Sequence, residues 1–388
     1  MSVLDSMAKA ALPALAATSY YCTFGMSERN DHFRLMREVR DSGPQFLPNT
    51  TASLRRFYTG YPPLDDLLTS MAVAFWPCVD GRSPNVSLYA FHFVGQILPL
   101  MVILMVEARR HGNRWRLVSF TMLWSLIGQA AGFTHLMPVY CLLHLFTSPT
   151  SSSPDGESLT ISSNDLLVSP TDLYVMPLSL ILGFVVPSTL AALPSPRFST
   201  FDEHQIIMAV WQLFPAVVGS LQFVLSRLLS NFLPFEPQYR SAAERTARSM
   251  QAVRFVYLFG FAIGAVTHIA ALTISISSVL LPGMFGGDLA TLFHPSKVFV
   301  PPLPNTDLKV DNIADGMLYF LHYDQYLGFL STIIWASTLF RHARLQKLTM
   351  NGLLGLFVRI AGLTLVAGPG STALVLIWNR DELVVGEL

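Results

Sequence analysis

A run of polar side chains interrupts an apolar stretch late in the chain. The sequence DGMLYFLHYDQYLGFLSTIIW, at residues 315–335, is apolar enough for a membrane helix except near its centre. Within it, Tyr319, His322, Tyr323 and Tyr326 have the i, i+3, i+4, i+7 spacing that places side chains on one helix face. This spacing predicts an aromatic stripe that includes a histidine.

Asp324 lies about 100° around the same helix from Tyr323, at the edge of the stripe. A carboxyl group at the centre of a membrane helix costs about 3 kcal/mol on insertion scales, so such groups usually face a bundle interior and serve a function. Burial in an apolar site favours the protonated acid, which can donate a proton. An acid beside aromatic faces can start a carbocation reaction and stabilise its intermediates. We therefore predict that Asp324 is a general acid, assisted by His322.

A structural interpretation of the same residues stays open. Aromatic side chains gather at membrane interfaces, where they form a belt. Asp324 would then pair with a basic residue such as Arg359, in the last predicted span. Arg359 is otherwise predicted to contact the substrate.

Two adjacent acids, Asp65 and Asp66, follow two prolines in the sequence YPPLDDLLTS, at the start of a predicted helix. Acids in a first turn complement the helix dipole, and one of them can cap the helix. Two acids are more than capping needs, and only one of them can face inward. Asp65 or Asp66 is therefore a candidate for a second catalytic acid or for an orienting group.

Further polar and aromatic residues are scattered through the predicted spans. His92 and Gln96 share a helix face at i, i+4, and we assign this pair to the predicted pocket. A single polar residue in a membrane helix more often forms a helix-to-helix hydrogen bond worth about 1 kcal/mol. Glu107 directly precedes a basic segment and is predicted to lie at the membrane interface. The remaining predicted substrate-binding residues are Trp76, Trp211 and His268.

The composition is that of an integral membrane protein. Of the 388 residues, 52% are hydrophobic and 13% are charged, whereas about a quarter are charged in soluble domains. The formal net charge is +0, and the basic residues lie in short loops, so no nucleic-acid partner is expected. No protein partner is indicated either.

The predicted fold class is all-α, a multi-pass transmembrane helical bundle. Residues 1–62 are predicted to form an N-terminal arm with a possible interfacial helix, and residues 63–388 an eight-span membrane domain. Gly-Pro-Gly at 368–370 predicts a kink or break in the last span. The Pro/Gly-rich connection over 282–315 is long enough to cover a cavity. The predicted spans cover roughly residues 63–79, 87–106, 117–146, 172–194, 206–230, 252–281, 316–340 and 352–379.

Several catalytic motifs are missing from the sequence. An Asp-rich cluster for a magnesium-bound diphosphate is not found, because the acidic run in DDLLTS stops at two residues. The DxDD motif of soluble proton-initiated cyclases is missing too, as are HExxH, GxSxG, P-loop and dinucleotide-binding patterns. We therefore predict chemistry that uses neither a metal nor another cofactor.

The stretch YTGYPPLDDLLTSMAVAFWPCVDGRSPNVSLY, at residues 58–89, resembles the fungal integral-membrane terpene cyclases of meroterpenoid biosynthesis. The similarity is to the larger members, those of the ascochlorin and ascofuranone pathways and of macrophorin-type pathways, and it includes the late segment YFLHYDQYLGF. It implies a metal-independent enzyme, in the endoplasmic reticulum membrane, that binds a hydrophobic prenylated substrate. Such an enzyme protonates a terminal epoxide or alkene of a farnesyl chain on an aromatic ring, then guides cyclisation before deprotonation.

Two other functions remain open from the residues. A transporter or receptor would use the same buried polar groups to line a path or a ligand site. A sterol-type double-bond isomerase would also need an acid and a base in an aromatic pocket. If the protein is a cyclase, its tyrosine and tryptophan side chains select the ring closure by shape. His268 or His92 is then the candidate for the base that removes the final proton.

Overall fold

A computed structural model describes residues 3–42, 46–151, 161–232, 241–306, 308–344 and 349–385. Within these ranges the chain is predominantly helical, and its one β-type contact is an isolated bridge between Phe46 and Ser53. The predicted all-α class is therefore confirmed.

The described ranges contain α-helices of very different lengths. They are α1 (Val3–Cys22), α2 (Phe24–Arg29), α3 (His32–Asp41), α4 (Pro62–Val79), α5 (Pro84–Arg109), α6 (Thr121–Ala131), α7 (Phe133–Thr147), α8 (Ser163–Leu166), α9 (Pro170–Leu180), α10 (Val186–Ala191), α11 (Phe201–Trp211), α12 (Phe214–Phe232), α13 (Ala242–Leu280), α14 (Leu289–Leu292), α15 (Pro295–Val298), α16 (Ile313–His342), α17 (Met350–Ala367) and α18 (Pro369–Val385). Short 3₁₀ turns lie at His111–Asn113, Leu117–Ser119, Pro149–Ser151 and Pro282–Met284, and a π-helical segment, Ile181–Val185, joins α9 to α10.

The long helix α16 lies at the centre of the bundle. It packs against α1, α4, α5, α7 and α18, while α18 also contacts α5 and α13. The polar helix is thus surrounded by other helices, which is where membrane proteins place ionisable side chains. By contrast, α17 lies on the outside and is largely exposed.

Fewer helices than predicted qualify as membrane spans. Among the residues that the structure describes, four helical stretches are long and apolar enough to cross a membrane. The bent pair α11 and α12, which meet at 61°, adds a fifth if it forms one span. The predicted number of about eight is therefore not confirmed. The four stretches are Pro84–Arg109, Ser163–Ala191, Ala242–Leu280 and Met350–Ala367.

Local sequence explains part of this difference. The predicted span over 117–146 is broken at Gly132 into α6, with 11 residues, and α7, with 15 residues. The helix α16 is long enough, at 30 residues, but no stretch of it is apolar enough to count among the four spans, because polar residues lie at its centre. Its position inside the bundle shields those residues from lipid.

Two helix breaks occur at glycines whose φ angles lie in the left-handed region. Gly132, between α6 and α7, has a φ of 93°, and Gly368, between α17 and α18, has a φ of 86°. Residues with a side chain rarely adopt such angles. The break predicted at residues 368–370 is confirmed.

The segment predicted as an N-terminal arm contributes to the bundle. Its first helix, α1, packs against α7 and α16. The hydroxyl groups of Ser19 and Thr134 are hydrogen bonded at 2.8 Å across this contact. Helices α2 and α3 also contact α16, so the arm forms one wall around the central helix.

Candidate active site

Asp324 lies on α16 with 6% of its surface exposed, and its carboxyl group faces the start of α7. Its Oδ1 accepts a hydrogen bond from the backbone N–H of Thr134 at 2.8 Å. Thr134 is the second residue of α7, where backbone N–H groups lack a partner within the helix. At Gly132 a Cβ would lie 3.4 Å from Oδ1 of Asp324 and 3.0 Å from Nδ1 of His135. The predicted acid is therefore tied to the break between α6 and α7.

Three phenylalanine rings pack beside this helix start. The ring centroid of Phe133 is 5.0 Å from that of Phe329 and 5.9 Å from that of Phe93. Gly328 on α16 makes room for the contact, because a Cβ there would come within 2.3 Å of the Phe133 ring. These phenylalanines were not among the predicted site residues, since phenylalanines in an apolar helix are typical of an ordinary core.

The predicted aromatic stripe faces a segment that precedes α16 in the chain. We call residues 293–304 the strap. Three stripe side chains donate hydrogen bonds to its backbone carbonyl groups, and the fourth, Tyr319, is half-buried against the core. The bonds run from His322 Nε2 to Val298 (2.7 Å), from Tyr323 to Pro302 (2.7 Å) and from Tyr326 to Phe299 (2.5 Å).

Tyr89 of α5 lies at the centre of the rings between α5, α16 and the strap. Its ring centroid is 4.3 Å from that of His322, 6.0 Å from that of Phe299 and 6.3 Å from that of Tyr326. Tyr89 was not among the predicted site residues. The available signal was its position three residues before His92, on the same face of α5.

His92 and His268, predicted separately, form a hydrogen-bonded pair. His92 Nε2 lies 2.8 Å from His268 Nδ1, and Gln325 Nε2 lies 3.2 Å from His92 Nδ1. His268 Nε2 is 3.0 Å from the carbonyl oxygen of Leu365. Because a carbonyl only accepts, His268 carries its hydrogen on Nε2, and His92 then donates from its own Nε2. In this series of hydrogen bonds both imidazole rings are neutral, and each of their nitrogens has a partner.

The side chain of Gln96 binds backbone groups on both sides of a contact between α13 and the break that separates α17 from α18. Its Nε2 donates to the carbonyl oxygen of Gly264 at 2.7 Å, and its Oε1 accepts from the N–H of Gly370 at 3.0 Å. Neighbouring side chains in membrane proteins often satisfy backbone groups that a helix break frees. Arg359 is exposed on α17, and Asp324 is instead bonded to Thr134. The alternative pairing of Asp324 with Arg359 is therefore wrong.

Asp65 and Asp66 face different surroundings. Asp66 is exposed, whereas Asp65 is buried, as expected if one of the two faces inward. The carboxyl group of Asp65 accepts hydrogen bonds from the backbone N–H groups of Tyr58, Thr59 and Gly60. Burial opposes its charge, but these bonds outweigh burial and lower the pKa of Asp65. Asp65 therefore organises the turn before α4 as an ionised group.

The two predicted tryptophans lie in a different part of the bundle, around α4 and α11. The ring centroid of Trp76 is 5.1 Å from that of His204 and 6.0 Å from that of Phe201. Trp211 donates from Nε1 to the hydroxyl oxygen of Ser188 at 2.8 Å. These contacts do not bring either tryptophan into the ring cluster around Tyr89.

A second group of buried ionisable side chains lies where α5, α7 and α18 meet. We call it the ionic corner, and it consists of Glu107, Arg110, His144, Arg380 and Asp381. Each of the five is at most 1% exposed, so the prediction that Glu107 is interfacial is wrong. Two carboxylates and two guanidinium groups balance in charge. The distances are 2.7 Å for Arg110 Nε to Glu107 Oε1, 2.5 Å for Arg380 Nη2 to Glu107 Oε1, 2.6 Å for Arg110 Nη2 to Asp381 Oδ2, 2.9 Å for Arg380 Nε to Asp381 Oδ1 and 3.2 Å for His144 Nε2 to Glu107 Oε2.

The fold and these sites define a helical membrane protein with a buried acid, aromatic walls and buried imidazole groups. Across the described ranges, no three His, Cys, Asp or Glu side chains come together in a way that would hold a metal ion.

Comparison with known proteins identifies the family. The CtvD domain matches residues 7–385, which is nearly the whole chain. The chain therefore belongs to the CtvD domain family, and the predicted resemblance to fungal meroterpenoid terpene cyclases is confirmed. It is an enzyme of the terpene cyclase class.

Similar proteins cover almost the same length. Terpene cyclase penA of Penicillium crustosum is 27% identical over 94% of this chain and 93% of its own. Terpene cyclase ascI of Acremonium egyptiacum is 28% identical, over 90% of this chain and 86% of its own. Terpene cyclase ctvD of Aspergillus terreus is 27% identical, over 92% and 94% respectively. No solved structure is significantly similar to the chain.

Proposed function

We propose that the enzyme cyclises a farnesyl chain attached to an aromatic meroterpenoid precursor, and that protonation of a terminal epoxide starts the reaction without a metal. Family membership supports a cyclase. The buried carboxyl group of Asp324 is the observation that carries the proton-initiated mechanism. The substrate is hydrophobic and prenylated, and the enzyme works in a bilayer, for which we propose the endoplasmic reticulum membrane.

The hydrogen bond at Asp324 suits a carboxylic acid that gives up its proton. In the protonated acid, Oδ1 accepts from the Thr134 N–H as the carbonyl oxygen, which leaves Oδ2 to carry the proton. Transfer of this proton to the epoxide oxygen breaks one C–O bond and leaves positive charge on carbon. A farnesyl double bond then attacks that carbon and closes a ring. The carboxylate that remains is stabilised by the N-terminus of α7.

The surrounding rings suit the cationic intermediates. Phe133 and Phe329 pack beside the helix start that Asp324 holds, and aromatic faces attract positive charge. His322, Tyr323 and Tyr326 are fastened to the strap, which closes this side of the bundle. Exclusion of water matters because water would capture a carbocation before the ring closes.

Some predicted site residues contribute less directly. His92 and His268 are assigned to the wall of the site, because His92 packs 5.5 Å from Phe299 between ring centroids. Gln96 and Asp65 bind backbone groups, and Arg359 and Asp66 are exposed. We therefore place Asp324 alone as the acid that starts the reaction.

The test is an assay of membranes that contain the enzyme, with a chelator present and an epoxyfarnesyl phenol as substrate. We expect a product with the mass of the substrate and a new retention time, detected by mass spectrometry. Asp324→Asn removes the acid but keeps an oxygen that can accept from Thr134, so the product should disappear. Asp315→Asn, on the same helix, is the matched control, because Asp315 is bonded to the helix-capping Asn312.

The proposal fails if folded wild-type enzyme leaves the epoxide unchanged. It also fails in its mechanism if Asp324→Asn and Asp315→Asn form the product at the same rate as the wild type.

A further inference from the structure

His144 lies in the ionic corner, where it contacts the carboxylate of Glu107. Its Nε2 is 3.2 Å from Oε2 of Glu107, and both residues are fully buried. The other carboxylate oxygen of Glu107 accepts from Arg110 and Arg380. Two guanidinium groups therefore stabilise Glu107 as an anion beside the imidazole.

This contact decides which nitrogen of His144 carries the hydrogen. A carboxylate only accepts hydrogen bonds, so Nε2 of His144 is the protonated nitrogen. In the neutral ring, Nδ1 then has a free lone pair. Nδ1 is buried and has no hydrogen-bond partner among the described residues. A carboxylate behind one nitrogen and a lone pair on the other is an arrangement that general bases use, because the carboxylate fixes the tautomer and the orientation of the ring.

Three other buried histidines are less suited to accept a proton. In the pair His92 and His268, every ring nitrogen has a partner. His322 has a free Nδ1, but its Nε2 faces the carbonyl oxygen of Val298 and no carboxylate. A carboxylate hydrogen-bonded to the opposite ring nitrogen lowers the cost of a buried imidazolium. The carboxylate of Glu107 therefore distinguishes His144 from these residues.

An aromatic wall stands next to His144. The ring centroid of Trp335 lies 5.0 Å from that of His144 at an interplanar angle of 84°, and Tyr140 lies 6.2 Å from Trp335. Trp335 is fully buried, and its indole offers the strongest attraction for a cation among aromatic side chains. A positive charge on substrate carbon would be stabilised there until a neighbouring proton is removed.

The acid and this histidine share one helix interface. Asp324 contacts Thr134 near the start of α7, and Trp335 contacts His144 near its end. Asp324 and Trp335 are eleven residues apart on α16, which corresponds to about 16 Å along the helix axis. The two sites therefore lie at opposite ends of the contact between α7 and α16.

We propose that His144 is the catalytic base that removes the final proton, a role that rests on the proposed cyclase function. The C–H bond beside the cationic carbon breaks, its electrons form a new double bond, and the proton goes to Nδ1 of His144. Glu107 is a positioning residue that accepts from Nε2 and fixes the orientation of the ring. One proton enters from Asp324 and one leaves to His144, so the product is an isomer of the substrate.

The test compares the products of His144→Gln with those of the wild type, using the epoxyfarnesyl phenol. Glutamine can still donate to Glu107 but cannot take up a proton. The epoxide should still be consumed, while formation of the normal isomer falls by about 10²-fold. Products carrying one added water, or isomers from earlier termination, should replace it. His204→Gln is the matched control, because His204 is buried and both of its nitrogens are bonded.

A second variant separates the chemical role from a structural one. His144→Ala should show the same altered products, and added imidazole should restore the normal isomer. Normal products from either folded variant, or the same change in His204→Gln or in His322→Gln instead, would overturn the assignment. Failure of the proposed function itself looks different, because the wild-type enzyme would then consume no epoxide.

Discussion

Asp324 and Glu107 are both acids buried in the helical bundle, but their surroundings are opposite. Asp324 accepts a short hydrogen bond from a neutral backbone N–H, that of Thr134, at the start of α7. Glu107 contacts two guanidinium groups and an imidazole. An acid that must lose and regain a proton needs the first environment, whereas an acid that must stay charged needs the second. Burial alone therefore does not identify a proton donor.

The largest effect on folding is expected in the ionic corner. Arg380→Met leaves Glu107 and Asp381 with one guanidinium group between them, so one negative charge loses its partner. Breaking a buried ion pair in this way costs about 3–5 kcal/mol of folding free energy. Unfolding of the detergent-solubilised enzyme measures the change.

Arg254→Met is the matched control for that variant. Arg254 forms two 2.6 Å hydrogen bonds with Glu382, but both side chains are partly exposed. An exposed pair contributes about 0–1 kcal/mol. Equal losses of stability in the two variants would contradict the structural role given to the ionic corner.

The next largest effect is expected at the helix break that Asp324 holds. Gly132→Ala places a methyl group near Oδ1 of Asp324 and Nδ1 of His135, at a φ that alanine rarely adopts. A displacement of about 1 Å at a catalytic group can cost about 10²-fold in rate. Turnover should fall by that order, and Gly355→Ala, on the open surface of α17, should leave turnover unchanged. Wild-type turnover in Gly132→Ala would contradict this account of the acid site.

A smaller effect, on stability, is expected at Gln96, whose side chain binds backbone groups at the break between α17 and α18. Gln96→Leu leaves the N–H of Gly370 without its side-chain partner, whereas the carbonyl oxygen of Gly264 still accepts from the Thr267 hydroxyl group. A buried unsatisfied group costs about 1–3 kcal/mol. The unfolding temperature should drop, while the pattern of products stays the same. A changed product pattern at unchanged stability would instead place Gln96 in the substrate pocket.

The smallest effect is expected at the strap. Tyr326→Phe keeps the ring but removes the hydrogen bond to the carbonyl oxygen of Phe299. One such bond contributes about 1 kcal/mol, so the strap should open more often. Hydrogen–deuterium exchange across residues 293–304 should become faster in this variant and remain unchanged in Tyr174→Phe, an exposed tyrosine on α9. Unchanged exchange in both variants would contradict the fastening role of Tyr326.

The burial of Asp324, the proposed acid, and the stripe beside it could largely be predicted from the sequence, because the signals are local. A carboxyl group in an apolar helix predicts burial, and the stripe from His322 to Tyr326 follows directly from helix geometry. The break at Gly368 is also local, because glycine and proline end helices wherever they occur. The strap carbonyl groups that bind the stripe lie within 30 residues of it, in a segment already selected for its length and composition.

The ionic corner could not be predicted in the same way. Glu107 lies near two arginines at the end of a helix, a position that is typical of the membrane interface. It is buried because Arg380 and Asp381, on α18, pack against it, and Arg380 is 273 residues away in the sequence. No spacing pattern in the sequence predicts a contact between residues so far apart. The tautomer of His144 depends on the same contact, whereas the candidates for the base that the sequence offers are His92 and His268. The predicted number of spans is not confirmed, in part because hydrophobic length does not reveal a break such as Gly132.

The most direct test of the central claim is single-turnover consumption of the epoxyfarnesyl phenol by Asp324→Asn, Asp324→Glu and Asp315→Asn in membranes. We predict that Asp324→Asn loses about 10²–10⁴-fold in rate, since no acid remains, and that Asp324→Glu keeps part of the activity. Asp315→Asn should match the wild type. Consumption by folded Asp324→Asn at the wild-type rate would contradict the assignment of Asp324 as the acid that starts the reaction.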